Sequence, residues 1–147
     1  MTTLAAVLDE MADTIRSAVA TVTDVDVQVE PRMVLNPTPP CIDMYPGDPS
    51  ADQDTGGFGE ELGGELITVR VRVDTADHEA GQDLLLAFMD LEDELSIVTA
   101  LTDDPTLNGL GQIDVQGRSG FALFPVPAGD GVLLGCTFST IVIRALS

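Results

Sequence analysis

Residues 65–75, ELITVRVRVDT, set Ile67, Val69, Val71 and Val73 at every second position, with Thr68, Arg70, Arg72 and Asp74 between them. A strand turns successive side chains to opposite sides and a helix does not, so this period of two requires a β-strand with one apolar face. Residues 24–30, DVDVQVE, repeat the pattern with Val25, Val27 and Val29 against Asp24, Asp26, Gln28 and Glu30, and Pro31 ends that strand. After the connection NPTPP, whose three prolines exclude a helix, CIDMY at 41–45 gives another short strand.

A sheet with one apolar face needs a layer to cover it, and two segments have the right period. Leu4, Val7, Leu8, Met11, Ile15 and Ala18 form one stripe of a helix, with Asp9, Glu10 and Asp13 on the opposite side. From Asp74 or Thr75 as N-cap, residues 76–95 place Leu84, Phe88, Leu91 and Leu95 on a second stripe, and Asp77 and Glu79 suit its positive end. SIVTAL at 96–101 continues this helix or forms a short third one, and TDDPTLNG supplies turn residues. GQIDVQGRSGFALFPVP reads as a strand with an irregular, proline-bounded extension whose place in the fold the sequence leaves open. The closing GVLLGCTFSTIVIRAL, apolar on both sides around Phe138 and Val142, suits a central strand. The expected fold is α+β: one domain over 1–147, a mainly antiparallel sheet of four to five strands, and two to three helices on one face.

Composition narrows the chemistry. There are 25 acidic side chains against six basic ones, all arginine, for a net charge of −19. Without lysine the chain has no Schiff-base nucleophile, no pyridoxal phosphate anchor and no Walker-type lysine for outer phosphates. The bias fits a GC-rich genome or a high-salt habitat. So negative a surface repels nucleic-acid backbones, since non-specific affinity comes from Lys and Arg releasing counterions. No apolar run reaches the roughly 18 residues of a membrane span, and no basic-then-apolar leader is seen, so an intracellular protein without a membrane partner is expected. Cys41 and Cys136 lie in apolar segments without Cys-x-x-Cys spacing and read as buried thiols.

Between two strands lies PGDPSADQDTGGFGEELGGE, residues 46–65, with six Gly, six carboxylates, Phe58 and no cation. Counted as an EF-hand from Asp52, it has Gly56 at position 5 and Gly63 at position 12, where oxygen ligands are required, and strands at its flanks. A weaker cation site from Asp48, Asp52, Asp54 and Glu60 stays open beside the reading as a solvated acidic arm. Phosphate cradling is disfavoured by Glu60, Glu61 and Glu65 without a neutralising cation. His78, the single imidazole, stands between Asp77 and Glu79 and is expected to be exposed. No catalytic residue, metal ligand or cofactor is expected. Arg70 and Arg72, two scarce cations on one strand face, either pair with nearby carboxylates or cross a subunit boundary to an acidic surface.

The order of these segments resembles the tail terminator family of long-tailed phages and related viruses. The similarity lies in the amphipathic first helix, the valine-rich strand ending in Pro31, PTPPCIDMYPG, the acidic loop, ELITVRVRV, the helix ending SIVTALTDDPTLNGL and the long last strand. The resemblance implies a non-enzymatic virion protein, assembled in the host cytoplasm, that forms a ring of six subunits in the neck. Such a ring caps the tail tube at its final length and meets the head connector or stopper. Residues 46–65 would then be an arm toward a neighbouring subunit or partner ring. Tyr45 and Phe58 would be its apolar anchors, with Asp48, Asp52, Asp54, Glu60, Glu61, Arg70 and Arg72 as polar contacts. A negative lumen would let the genome pass without specific binding. Two alternatives remain: a head-tail stopper or joining protein of the neck, and a small acidic ligand- or cation-binding module.

Overall fold

A computed structural model describes residues 3–20, 26–47, 64–74, 78–92, 95–103, 105–126 and 131–144. The elements run α1 (Leu4–Ala20), β1 (Gln28–Glu30), β2 (Cys41–Pro46), β3 (Glu65–Val73), α2 (His78–Met89), α3 (Ile97–Asp103), β4 (Gly111–Arg118), β5 (Ala122–Pro125) and β6 (Val132–Arg144). The class is α+β, as expected. The sheet has six strands in the order β1-β2-β3-β6-β4, with β5 also on β6.

The sheet is mainly antiparallel, as expected, with one parallel pair and one strand more than the expected four to five. β1 and β2 are parallel, in the register Gln28–Cys41 to Glu30–Asp43, while every other pairing is antiparallel. Residues 31–40 therefore form a crossover, carrying the chain back so that β2 starts level with β1. The sixth strand is β5, in the segment whose place was left open: Ala122 pairs with Gly135 and Phe124 with Leu133. β4 and β5 follow one another along the same side of β6, joined through Ser119, whose N–H donates to the Thr137 carbonyl at 2.8 Å.

Local chemistry sets the helix ends. The Thr3 hydroxyl accepts from the Ala6 N–H at 3.1 Å and caps α1. Asp90 stops α2 by accepting the Glu92 N–H at 2.9 Å, so the helix expected through residue 95 ends at Met89 and SIVTAL belongs to a separate short helix, one of the two expected alternatives. Ser96, fully enclosed, then caps α3 through the Thr99 N–H at 3.1 Å. The break moves the second stripe: Leu85, Phe88 and Met89 are buried, whereas Leu91 is 66% exposed.

All three helices share one core with one face of the sheet. Val7, Met11 and Ile15 of α1, Leu85 and Phe88 of α2, and Ile97 and Leu101 of α3 meet Ile42, Met44, Val69, Val71 and Phe138. The sheet edges are treated differently. At β1 the Arg16 guanidinium donates to the Val29 carbonyl at 2.7 Å, closing that edge to another strand. At the start of β4, the Gly111 and Ile113 N–H groups are taken by Thr106 and Pro105 of the preceding turn.

Gly135 is a close-approach position, because a Cβ there would collide with the Val71 carbonyl and press the Phe124 ring. Gly135→Ala is expected to destabilise the fold by about 1–3 kcal/mol through overpacking, read from the urea midpoint. An unchanged midpoint would mean that β3 and β6 can part at this point without loss.

Candidate functional site

The alternation in β3 points Thr68, Arg70 and Arg72 away from the helices, onto a face that the pattern alone would leave wet. In register they stand opposite Tyr45, Asp43 and Cys41 of β2. The crossover 31–40 reaches this face, and together they enclose an ionic cluster. The Asp43 side chain is 0% exposed, Arg72 2% and Arg70 13%.

Asp43 is the centre. Its Oδ1 accepts Arg70 Nε at 3.0 Å, and its Oδ2 accepts Arg70 Nη2 at 2.6 Å, Arg72 Nη2 at 3.1 Å and the Val34 N–H at 2.8 Å. The Val34 carbonyl accepts Arg72 Nη2 at 2.8 Å and Arg70 Nη2 at 3.4 Å. A single residue of the crossover thus gives its donor to the anion and its acceptor to both cations. The Arg70 guanidinium also lies over the rings of Tyr45, at 5.2 Å, and Phe124, at 5.7 Å. Burial opposes the Arg70 charge, but the hydrogen bonds and charge of Asp43 outweigh it and hold the guanidinium above its ordinary pKa. Arg72 Nε is buried without a hydrogen-bond partner among the described residues, a cost of about 1–3 kcal/mol accepted within the cluster.

The arginines therefore pair with a carboxylate of their own chain, and Arg72 and Tyr45, the latter 6% exposed, have almost no surface to offer another chain. Asp43 and Phe124 were not singled out from the sequence. The available signal for Asp43 was a lone carboxylate in the apolar strand CIDMY, level with two arginines. Asp48, Asp52, Asp54, Phe58, Glu60 and Glu61 lie outside the described residues, as does the side chain of His78. Among the described residues no group of three or more His, Cys, Asp or Glu side chains is placed to hold a metal ion.

At the root of the 48–63 segment the chain is fixed on both sides. The Gly47 N–H donates to the Leu66 carbonyl at 2.8 Å, and the Thr68 hydroxyl to the Gly47 carbonyl at 2.7 Å. Gly47 has φ of 77°, a conformation that glycine adopts without strain. On the helix side of the sheet, a cleft of about 250 Å³ opens beside β4, lined by Met89, Leu91, Val98, Val115, Gln116, Gly117 and Arg118.

Both thiols are free and enclosed. Burial pushes Cys41 up to about 11, Asp43 adding to the rise and the charge and hydrogen bond of Arg72 opposing it. Burial pushes Cys136 up to about 12 against the opposing charge of Arg118. Neutral thiols are poor nucleophiles, so neither suits redox or covalent chemistry at neutral pH.

Comparison with models of known protein families gives no match, and comparison with curated proteins finds none that is similar.

Removing Asp43 would leave two guanidinium groups facing each other without an anion. Asp43→Ala is expected to lower stability by about 3–5 kcal/mol, far more than Asp13→Ala at the exposed Arg16 pair, worth at most about 1 kcal/mol. Chemical denaturation of both variants reads the contrast, and equal effects would show that the cluster is not an anchor. The thiols set a pH limit. Both titrate near 9 when unfolded, so their contribution is fully present below about pH 9 and is lost as pH rises toward 11 and 12. Replacing Cys41 and Cys136 with Ala is expected to flatten that alkaline loss in unfolding curves taken across the range.

Proposed function

We propose that this chain is a structural subunit of a viral tail, assembling with copies of itself into a ring, six-membered in the family it resembles. The ring would sit on the tail tube at its final length and meet the head connector. The observation that carries this reading is the base of the acidic segment. Pro46 and Gly47 on one side and Leu66 and Ile67 on the other are tied to each other across β2 and β3, next to the Asp43 cluster. Residues 48–63, with five carboxylates and Phe58, thus follow in the chain between two strand ends that are tied together, the anchorage that an arm toward a neighbouring subunit would need.

The remaining support is order and charge. An amphipathic helix, a proline-rich crossover, a long strand, two helices and a thirteen-residue last strand occur in that order along the chain. Six copies, each at −19, around a channel would keep passing DNA from adhering to the wall. The same charge opposes assembly, so ring formation should depend on ionic strength.

Light scattering of the purified chain at low and at molar salt is the test. The expected result is a mass near six subunits, favoured by salt. A strict monomer in every condition that also fails to bind purified tail tubes would overturn the proposal.

A further inference from the structure

Five of the six arginines make ion pairs within the chain: Arg16 with Asp13, Arg32 with Asp9, Arg70 and Arg72 with Asp43, and Arg144 with Glu65. Arg118 pairs with no carboxylate among the described residues, and its guanidinium donates only to the neighbouring Ser119 carbonyl, at 3.0 Å. In a chain with 25 acidic side chains this is a notable position for a cation, and it lies on the rim of the apolar cleft beside β4.

The opposite rim is the end of α2. There Leu91 stands 66% exposed between the exposed carboxylates Asp90 and Glu92, with Leu86, 50% exposed, one helical turn before Asp90. The floor, Met89, Val98 and Val115, is apolar and has no charged group. One rim thus offers a cation, the other an apolar side chain flanked by anions, and the two lie side by side on one surface.

Such a surface is complementary to itself after a half-turn, since each rim meets its opposite on the other copy. We infer that two copies of this chain pair about a two-fold axis at this cleft, Leu91 of each covering the cleft of the other and Arg118 of each meeting Glu92 and Asp90 of the other. Charge selects this contact. Two bodies of −19 repel over most of their surfaces, and a contact that sets Arg118, unpaired with any carboxylate among the described residues, against carboxylates of the other copy removes the repulsion where the apolar groups touch. The pair is distinct from a ring contact, which must be head-to-tail to close on more than two copies. A two-fold pair cannot grow, so it would keep unassembled subunits soluble with their exposed leucines covered.

Charge exchange tests this on the full chain. Arg118→Glu and Glu92→Arg both change exposed residues and should leave folding intact, checked by the unfolding midpoint. Sedimentation at a fixed moderate salt is expected to show a two-subunit species for the natural sequence, weakened about tenfold or more in dissociation constant by either substitution alone. Mixing the two variants should restore a species with one copy of each, because every Arg–Glu contact is re-formed with its partners exchanged. Absence of a two-subunit species for the natural sequence, indifference to both substitutions, or failure of the mixture to recover would each overturn the inference. A six-subunit mass that persists in Arg118→Glu would leave the ring intact while removing the cleft contact, so the two ideas fail separately.

Discussion

Asp43 and the two arginines that share it hold together the part of the molecule no helix supports. The helices cover one face of the sheet with aliphatic and aromatic side chains, and that half follows from hydrophobic burial. On the other face, the part that carries Asp43, Arg70 and Arg72 is covered by a ten-residue crossover without secondary structure of its own, held through both polar groups of Val34. Hydrophobic contact alone would let such a segment slide. A carboxylate that takes three donors on one oxygen fixes it at one register. The cluster is a poor source of net stability, because desolvating three charges offsets most of their attraction; its value is that a displaced crossover would leave them unpaired.

Much of this is legible from the chain and some is not, for reasons that differ by residue. The stripe Val7, Leu8, Met11, Ile15 and the alternation Ile67 to Val73 are local patterns, and each appears in the core. Periodicity reports which residues share a side, but not whether a remote segment covers the other side. So the polar half of ELITVRVRV gives no sign that Arg72 is enclosed. β5 escaped because its prolines look like loop punctuation, although it pairs with β6, the next strand in the chain. Leu91 kept the helical period after the helix had ended at Asp90, whose side-chain hydrogen bond competes with the next turn. As for the site, Tyr45, Arg70 and Arg72 stood out by type and scarcity, yet their partner Asp43 lies in another strand, and only the register brings them level.

The two sheet edges show how a strongly acidic chain separates wanted from unwanted contacts. Net charge keeps copies apart at a distance but does not choose among close approaches. At β1 an arginine from the adjoining helix occupies the outward carbonyl; at β4 the preceding turn takes the outward N–H groups, and a bulge between Val115 and Gly117 disrupts the ladder beyond them. Strand addition is discouraged at both ends, which leaves side-chain surfaces as the places where copies can recognise one another.

β6 lies at the centre of the sheet, between β3 on one side and β4 with β5 on the other, although it follows all of them in the chain. The sheet therefore cannot be completed before the last strand is made. A growing chain can form α1 and local turns early, but β3 and β4 have no common neighbour until residues 132–144 arrive, and contacts of such long range close slowly. Until then Arg70 lacks the Phe124 ring held in place by β6, and β3 lacks its partner on that side. The nascent protein thus passes through a period in which its core is incomplete and its acidity opposes aggregation.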